Sequence, residues 1–390
     1  MIKKLEQEDF QEVLKLSMYA FQYIVPKEKW EERFKDFLSH EIYGIRVENR
    51  LASKLHLLPL KIWLHGREVN MGGIAGVATY PEYRRKGYVD ESLRFILNRM
   101  REKGQYISLL HPFSIPFYRK FGWELFSSYN KVTVDQTNMK PFSNVSGEVR
   151  RLTKNESEEL MGIYDLYSQQ FNGMLIRTKD WWLNRTIGES IVAIYYSKEK
   201  VPTGYVLYDI KDKRLEVNEM IVLNNEARKG LWNFLCQHDS MVENIELMLN
   251  DQDPLPFLLH NPKVKTELHP YFMARVVDVQ KCLESLRLPV KEEENIFLHI
   301  TDSHAPWNNK TFLLSKNEIN VFQKEIDSPS CQSQPKRGVS MNINALSALL
   351  FGVKSARELA DMDYLTGKDD EITRLNEVFS GNQPYFVDFF

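Results

Sequence analysis

The sequence predicts a mixed α/β (α+β) protein built from more than one unit, and three observations carry that prediction. The run Gly73-Ile-Ala-Gly-Val-Ala-Thr79 is small and apolar, as a buried strand is. Beyond Tyr80-Pro81 a basic loop containing Gly87 opens a helical pattern, with Val89, Leu93, Ile96, Leu97 and Met100 at helical spacing. From Val149 onward the chain repeats this outline and reaches Ala227-Arg-Lys-Gly230, an echo of Arg84-Arg-Lys-Gly87. Past Lys291-Glu-Glu-Glu-Asn295 the remaining stretch, roughly one small domain long, follows neither pattern.

Taken in order, Ile2 to Leu5 reads as a short strand and Asp9 as the N-cap of a helix with Phe10, Val13, Leu14, Leu16 and Phe21 on its apolar face. Ile42–Val47, Ala52–Pro59, Ile62–Leu64 and Val69–Thr79 suit antiparallel strands, with a hairpin turn at His65-Gly66-Arg67. The helix over Val89–Arg101 stops at Lys103-Gly104. Tyr106–Leu110 is a strand, and Trp123–Val134 reads as one further strand. Residues 136–147 form a linker. The second unit offers a strand at Val149–Leu152, a helix over Ser157–Phe171 and strands at Ile191–Tyr196, Gly204–Tyr208 and Leu215–Val222. The last part offers strands at Ile296–Ile300, Thr311–Leu314 and Ile319–Phe322. Helices follow at Ile343–Phe351, capped by Asn342 and ended by Gly352, then at Ser355–Asp361 and Asp369–Phe379.

The 390 residues carry 51 Lys+Arg against 53 Asp+Glu, a balance that excludes a general nucleic-acid binder. The apolar fraction of 43% is enough to fill several cores. Cys236, Cys282 and Cys331 are too far apart for a disulfide framework, and the nine histidines show no ligand spacing, so no metal is expected. Acids stand where a signal peptide would have its apolar segment, and no run of about 18 apolar residues exists. A soluble, cytoplasmic protein is expected.

The chemistry concentrates in three places. A helix N-terminus offers unpaired amides and a positive dipole end, which together favour an anion. Gly87 permits close backbone approach, and Arg84, Arg85 and Lys86 can close over a phosphate. The second place is Phe117-Tyr-Arg-Lys-Phe-Gly-Trp123, where Tyr118 taken alone reads as a core aromatic with a satisfied hydroxyl. The third is the terminus, Tyr385-Phe-Val-Asp-Phe-Phe390. Leaving its large side chains exposed would cost about 1.5–3 kcal/mol each, so the tail should dock. Burying Phe389 and Phe390 would then carry the terminal carboxylate into a desolvated place, where its pKa rises from about 3.5. The plain alternative is a docked structural tail.

Arg84-x-x-Gly87-x-Val89 resembles the pyrophosphate loop of GNAT acetyltransferases, with Val89 in place of a small residue. Tyr118, Phe121, Gly122 and Trp123 match the same family's tyrosine motif. Two such units, a third domain and an aromatic terminus resemble, over essentially the whole chain, the Eis family of N-acetyltransferases. The resemblance implies a GNAT acetyl-CoA-binding domain at 1–140 and a second GNAT-like domain at 148–285 without its own cofactor site. It implies a sterol-carrier-protein-like domain at 290–390. It implies acetyl-CoA contacts from Val77, Ala78 and Thr79 and from Arg84, Arg85, Lys86, Gly87, Tyr88, Val89 and Asp90. Phe113 and Ser114 would add contacts by spacing. It implies Tyr118 as general acid, the Phe390 carboxylate as general base, an amine acceptor such as an aminoglycoside, direct transfer and a hexamer.

None of the cysteines lies near the loop in sequence, which disfavours a thiol nucleophile. Acidic candidates for an acceptor pocket are Glu28, Glu31, Glu32 and Asp36, with Phe21, Tyr23 and Trp30 as possible walls. The same acids also read as the solvated face of a helix. Two other readings stand beside the main one. The acceptor would be a protein lysine or another small amine, or the chain would be a non-catalytic ligand-binding protein built on GNAT units.

Overall fold

A computed structural model describes residues 2–153, 158–316, 318–322 and 337–390. Ser157, the expected start of a helix, and Cys331 lie outside the described residues. The chain divides into two compact units. One holds the residues up to Phe126 with Phe272–Asn382 and Phe389–Phe390; the other holds Ser127–Tyr271 with Gln383–Asp388.

The first unit begins with β1 (Ile2–Lys4), α1 (Phe10–Phe21), α2 (Trp30–Leu38), β2 (Glu41–Val47), β3 (Arg50–Leu64) and β4 (Arg67–Thr79). It continues with α3 (Tyr88–Glu102), β5 (Ile107–Leu110), α4 (Ile115–Arg119) and β6 (Glu124–Leu125). Asp9 stands at the N-cap of α1, but its carboxylate accepts from the Glu6 amide at 2.8 Å instead of capping α1. The two strands expected around Pro59 are one. β2 pairs with β3 only as far as Leu57, so the missing Pro59 amide breaks no ladder bond there. The hairpin turn places His65 and Gly66 at φ +47° and +67°, which suits the right-handed twist of its strands. On α3, Leu93, Ile96, Leu97 and Met100 are fully buried and share one core cluster with Leu55, Leu57 and Ile74.

The second unit consists of β7 (Ser128–Asp135), β8 (Glu148–Leu152), α5 (Glu158–Ser168), β9 (Phe171–Asn172), α6 (Lys179–Trp181), β10 (Ile191–Tyr196), β11 (Pro202–Lys211) and β12 (Arg214–Val222). It closes with α7 (Asn225–Cys236), β13 (Asn244–Leu249), α8 (Leu255–Leu258) and β14 (Lys265–Pro270). Its sheet runs β14-β7-β13-β12-β11-β10-β8.

The chain returns to the first unit with β15 (Met273–Val276), α9 (Val279–Ser285), β16 (Ile296–Thr301), β17 (Thr311–Ser315), β18 (Glu318–Phe322) and β19 (Val339–Asn342). Then come α10 (Ile343–Phe351), α11 (Ala356–Asp361), β20 (Leu365–Thr366) and α12 (Asp369–Phe379). Asn342 accepts from the Ala345 amide at 2.9 Å, and Gly352 ends α10 at φ +79°, as expected of both. A five-stranded sheet runs β18-β17-β16-β19-β20.

One expectation is corrected here. Trp123–Val134 is not one strand, because β6 belongs to the first sheet and β7 to the second. The sheet of the first unit runs β1-β2-β3-β4-β5-β15-β6, so β15, from the expected second segment, sits between β5 and β6. The compact units therefore part at 126/127 and 271/272. The physical reason is pairing: β15 bonds to both β5 and β6, and β7 to both β13 and β14.

The final strand, β21 (Gln383–Pro384), pairs in parallel with β9. After it, Tyr385 and Phe386 are buried, and Asp388 is held by Arg177 at 2.9 Å and by Trp181 Nε1 at 2.7 Å.

Candidate active site

The site is built where β4 and β5 separate. The two pair in parallel only over Met71–Ile74 and Ile107–Leu110. β4 then runs on through Ala75 to Thr79 alone on that side, which leaves a fork in the sheet. A bulge makes the separation. Ala78 opposes Lys54 and Ala75 opposes His56, so two residues of β4, Gly76 and Val77, answer one residue of β3. Gly76 takes φ +55° at the bulge, a conformation that glycine adopts without strain.

Val77 packs half-buried against the α3-side cluster, while Ala78 and Thr79 are buried. The Thr79 hydroxyl lies 2.8 Å from Ser53 Oγ, and the Thr79 carbonyl accepts from Arg84 Nε at 3.3 Å. Arg84 thus braces the loop on the strand. Arg85 and Gly87 both adopt positive φ, +62° and +81°, and curl the loop. Gly87 is the N-cap of α3 with no side-chain cap, and nothing lies within 4 Å of where its Cβ would be. The first helical bond runs from Glu91 to Gly87, so the amides of Tyr88, Val89 and Asp90 precede the ladder. Lys86 lies over the Tyr83 ring at 5.2 Å, and Asp90 pairs with Arg94 at 2.9 Å. An open cradle of amides edged by exposed Arg85 and Lys86 fits a pyrophosphate group.

The echo in the second unit is built differently. Ala227-Arg-Lys-Gly230 lies inside α7, and Gly230 packs against Tyr195. The Asn224 side chain accepts from the Ala227 amide at 2.8 Å, so that helix caps itself.

Tyr118 sits on α4 and is 2% exposed, among Phe113, Phe117 and Trp123 at ring distances of 5.4, 5.2 and 6.4 Å. Its hydroxyl has no hydrogen-bond partner among the described residues. Burial pushes the phenol above its ordinary value of about 10, so it stays protonated at neutral pH. Ser114 precedes α4 in extended conformation, and Phe113 is 71% exposed. Gly122 takes φ +90°, and the Arg275 guanidinium occupies the space of its Cβ while donating to the Phe121 carbonyl. Arg275 is itself buried and paired with Asp302 at 2.7 Å. This pair fixes the turn after Tyr118. No local pattern announces it, because the partners come from β15 and from just beyond β16.

The terminus reaches the fork. A Cβ on Gly73 would stand 2.8 Å from the Phe390 ring, which also meets Phe272 at 5.1 Å. The Phe389 ring meets His111, just past β5, at 5.2 Å. The expectation that both phenylalanines are buried is corrected: Phe390 is half-buried and Phe389 is 60% exposed. Phe389 packs on one side only, against His111 and Phe272. Gly72 faces Met100 of α3, and Gly73 faces Phe390. Tyr118, in the α3-side cluster, and Phe390 therefore flank the sheet from opposite faces.

The two described thiols are unsuited to nucleophilic work. Cys236 and Cys282 are buried and free, and burial pushes Cys236 up to about 12 and Cys282 higher still. Glu31 pairs with Lys35 and Asp36 with Arg33 on their own helix, while Phe21 and Tyr23 are exposed and Trp30 is half-buried. Among the described residues no group of His, Cys, Asp and Glu could hold a metal ion. No helix among them is long and apolar enough to cross a membrane.

Residues 1–126 and 173–276 each match a family model described as an acetyltransferase (GNAT) domain, and residues 279–387 match a sterol carrier protein domain. The fold and its fork are thus those of a GNAT-class acetyltransferase with two GNAT domains followed by a sterol-carrier-protein-like domain. The chain is 25% identical over 332 residues to N-acetyltransferase Eis of Mycobacterium tuberculosis (strain ATCC 25177 / H37Ra), covering 80% of this chain and 78% of that one. A probable N-acyltransferase of unknown function from Enterococcus faecalis V583 is 28% identical and superposes with a TM-score of 0.90 over 100% and 99% of the two chains. Eis1 from Mycobacterium abscessus shares the fold, with a TM-score of 0.79 and 18% identity over 100% of each chain. Within its class the chain is an Eis-like N-acetyltransferase.

Proposed function

We propose that the protein transfers acetyl from acetyl-CoA to an amine of a polyamine-like acceptor such as an aminoglycoside, directly and without a covalent enzyme intermediate. One observation carries the reading: a buried phenol and the chain terminus flank the β4–β5 fork from opposite faces. Acetyl-CoA supplies the acetyl thioester.

The chain's own residues do the rest. The amides of Tyr88, Val89 and Asp90, with Arg85 and Lys86, bind the pyrophosphate, and Arg84 holds the loop to Thr79. The backbone of Val77, Ala78 and Thr79 lines the fork, and Phe113 and Ser114 add cofactor contacts just before Tyr118. The Phe390 carboxylate takes a proton from the incoming ammonium. Tyr118 gives its proton to the departing sulfur, a step that suits a phenol kept protonated by burial. The second GNAT domain, whose helix start is self-capped, holds no cofactor. Assembly as a hexamer and a cytoplasmic setting belong to the same reading.

The test is thiol release from acetyl-CoA with neomycin, and beside it lysine peptides and small amines. Native protein is compared with a form carrying a few residues added after Phe390. Turnover abolished by the extension supports the carboxylate. Turnover that survives it removes the carboxylate from the mechanism, and preference for a lysine peptide replaces the aminoglycoside as acceptor.

A further inference from the structure

Behind the bulge of β4 runs a chain of polar groups that the scheme above leaves unused. Lys54 is 1% exposed. Its Nζ donates to the Gly76 carbonyl at 2.9 Å and lies 2.8 Å from His56 Nε2. His56 Nδ1 lies 2.8 Å from His40 Nε2, and His40 Nδ1 lies 3.0 Å from Ser39 Oγ. The exposed Ser39 hydroxyl donates to the Asp36 carbonyl at 2.7 Å. One set of tautomers satisfies every link. Both imidazoles are neutral with the proton on Nδ1, so each Nε2 accepts from its inner neighbour and each Nδ1–H donates outward. In that protonation state the chain runs from a buried bulge to the surface.

Across the ladder Lys54 faces Gly44 of β2 and Ala78 of β4, and His56 faces Ile42 and Ala75. At the outer end the carboxylate of Asp36 pairs with Arg33 at 3.3 Å. Burial pushes Lys54 down to about 7. It also pushes His56 well below its ordinary value, aided by the charges of Lys54 and His40. Near neutrality burial thus lets the Lys54 amine exist uncharged. Its uncharged amine keeps two N–H bonds in place and has one lone pair left.

Position links this chain to the fork. Leu60 shares with the Phe390 ring the space above Gly73. Side chains alternate along a strand, so Lys54 and His56, which share the parity of Leu60 on β3, lie on the face of the sheet that Phe390 covers.

In the transfer the amine enters as an ammonium. Its nitrogen bonds to the acetyl carbon, the carbon–sulfur bond breaks, and two protons leave the nitrogen. One ends on the sulfur, and the other must leave the site. We propose that Lys54, His56 and His40 form the route by which that second proton reaches solvent. The Lys54 amine accepts, at the bulge, the proton that the Phe390 carboxylate has taken from the ammonium; Lys54 passes a proton to His56 Nε2, His56 Nδ1 passes one to His40 Nε2, and His40 Nδ1 releases one to water at Ser39. These are relay groups that act behind the reacting atoms. The inference rests on the acetyltransferase reading.

The test uses the full chain with His56→Gln, which can keep one hydrogen bond, and His40→Gln at the outer end. Thiol release is followed against pH, and the imidazoles are titrated by NMR. The expected result is a fall in kcat of about tenfold or more in both variants. KM for acetyl-CoA should stay within about twofold, the pH profile should shift, and added imidazole should partly restore the rate. In Lys54→Met the His56 titration should move upward, because a neighbouring positive charge is gone. Native kcat and pH profile in both variants would overturn the relay while leaving the acetyltransferase reading intact. So would a lower rate without pH shift or imidazole rescue, which marks a purely structural loss. A His56 titration indifferent to Lys54→Met overturns the wired chain whatever the activity. No thiol release by native protein with any amine, together with no acetyl-CoA binding by calorimetry, removes the acetyltransferase reading and the relay with it.

Discussion

Gly73 lies under the ring of Phe390, so closely that a Cβ there would stand 2.8 Å from the ring's Cε2 and 3.1 Å from both its Cζ and Leu60 Cδ1. Side-chain room on β4 thereby sets where the chain end can sit. Gly73→Ala should move the terminal ring. Overpacking costs about 1–3 kcal/mol, and a movable ring end puts this case at the low end. Misplacing the terminal carboxylate by a fraction of an ångström should lower kcat by about tenfold or more and leave acetyl-CoA affinity within about twofold. Steady-state kinetics and calorimetry decide. An unchanged kcat would show that the carboxylate's position is not limiting.

Gly87 tests the cradle separately. No atom crowds its missing Cβ, so Gly87→Ala meets only the cost of φ +81°. For a residue with a Cβ that cost is about 1–2 kcal/mol. If the loop relaxes to escape it, the amides of Tyr88 to Asp90 turn away from the anion. Acetyl-CoA binding should weaken by about tenfold, the equivalent of about 1.4 kcal/mol, with kcat at saturation little changed. Titration calorimetry measures this directly, and native affinity in the variant would take the loop out of cofactor binding.

For Tyr118 the direction of its shift gives a pH prediction. Burial raises its pKa in the folded protein, so its proton is present throughout the range below about pH 10. No alkaline limb in the rate profile below that pH should come from Tyr118. Tyr118→Phe should lower kcat by about 10²–10⁴-fold without weakening acetyl-CoA binding. Since the folded pKa lies above the unfolded one, the native protein keeps this group's contribution to stability below about pH 10. It loses that contribution as pH climbs toward the folded value. Tyr118→Phe should blunt that alkaline loss in unfolding measured against pH.

Local pattern carried much of this structure. The helix over Ile343–Phe351, its Asn342 cap and its Gly352 stop are visible in the sequence because each depends on neighbours within one turn. The loop before α3 is visible for the same reason. Strand exchange is not, because β7 and β15 read as ordinary strands whichever sheet they join; only pairing partners far along the chain decide. The bulge at Gly76 is hidden inside a run of small residues. Lys54 and His56 look like a solvated edge until the register turns them under the sheet. Gly122 is legible as a motif residue, but its reason, the guanidinium of Arg275, comes from about 150 residues later.

The last prediction concerns the second unit. Arg177 donates to both oxygens of Glu219, at 3.0 and 2.5 Å, and to Asp388 at 2.9 Å. Its guanidinium lies 3.9 Å from the Tyr164 ring centre and 4.7 Å from that of Trp182. One cation thus serves two buried carboxylates. Burial already pushes the Asp388 carboxyl up, against the pull of Arg177. Arg177→Met removes that pull and leaves the acids facing each other. Breaking a buried pair in this way costs about 3–5 kcal/mol, a large share of the roughly 5–15 kcal/mol that holds a domain together. The sign follows from linkage. With its folded pKa raised further above the unfolded value, Asp388 favours the folded state only while protonated. The variant should therefore be most stable in mild acid and lose stability as pH rises. Urea unfolding at about pH 5 and pH 8 measures this; equal stability at both would show that Asp388 escapes to solvent once Arg177 is gone.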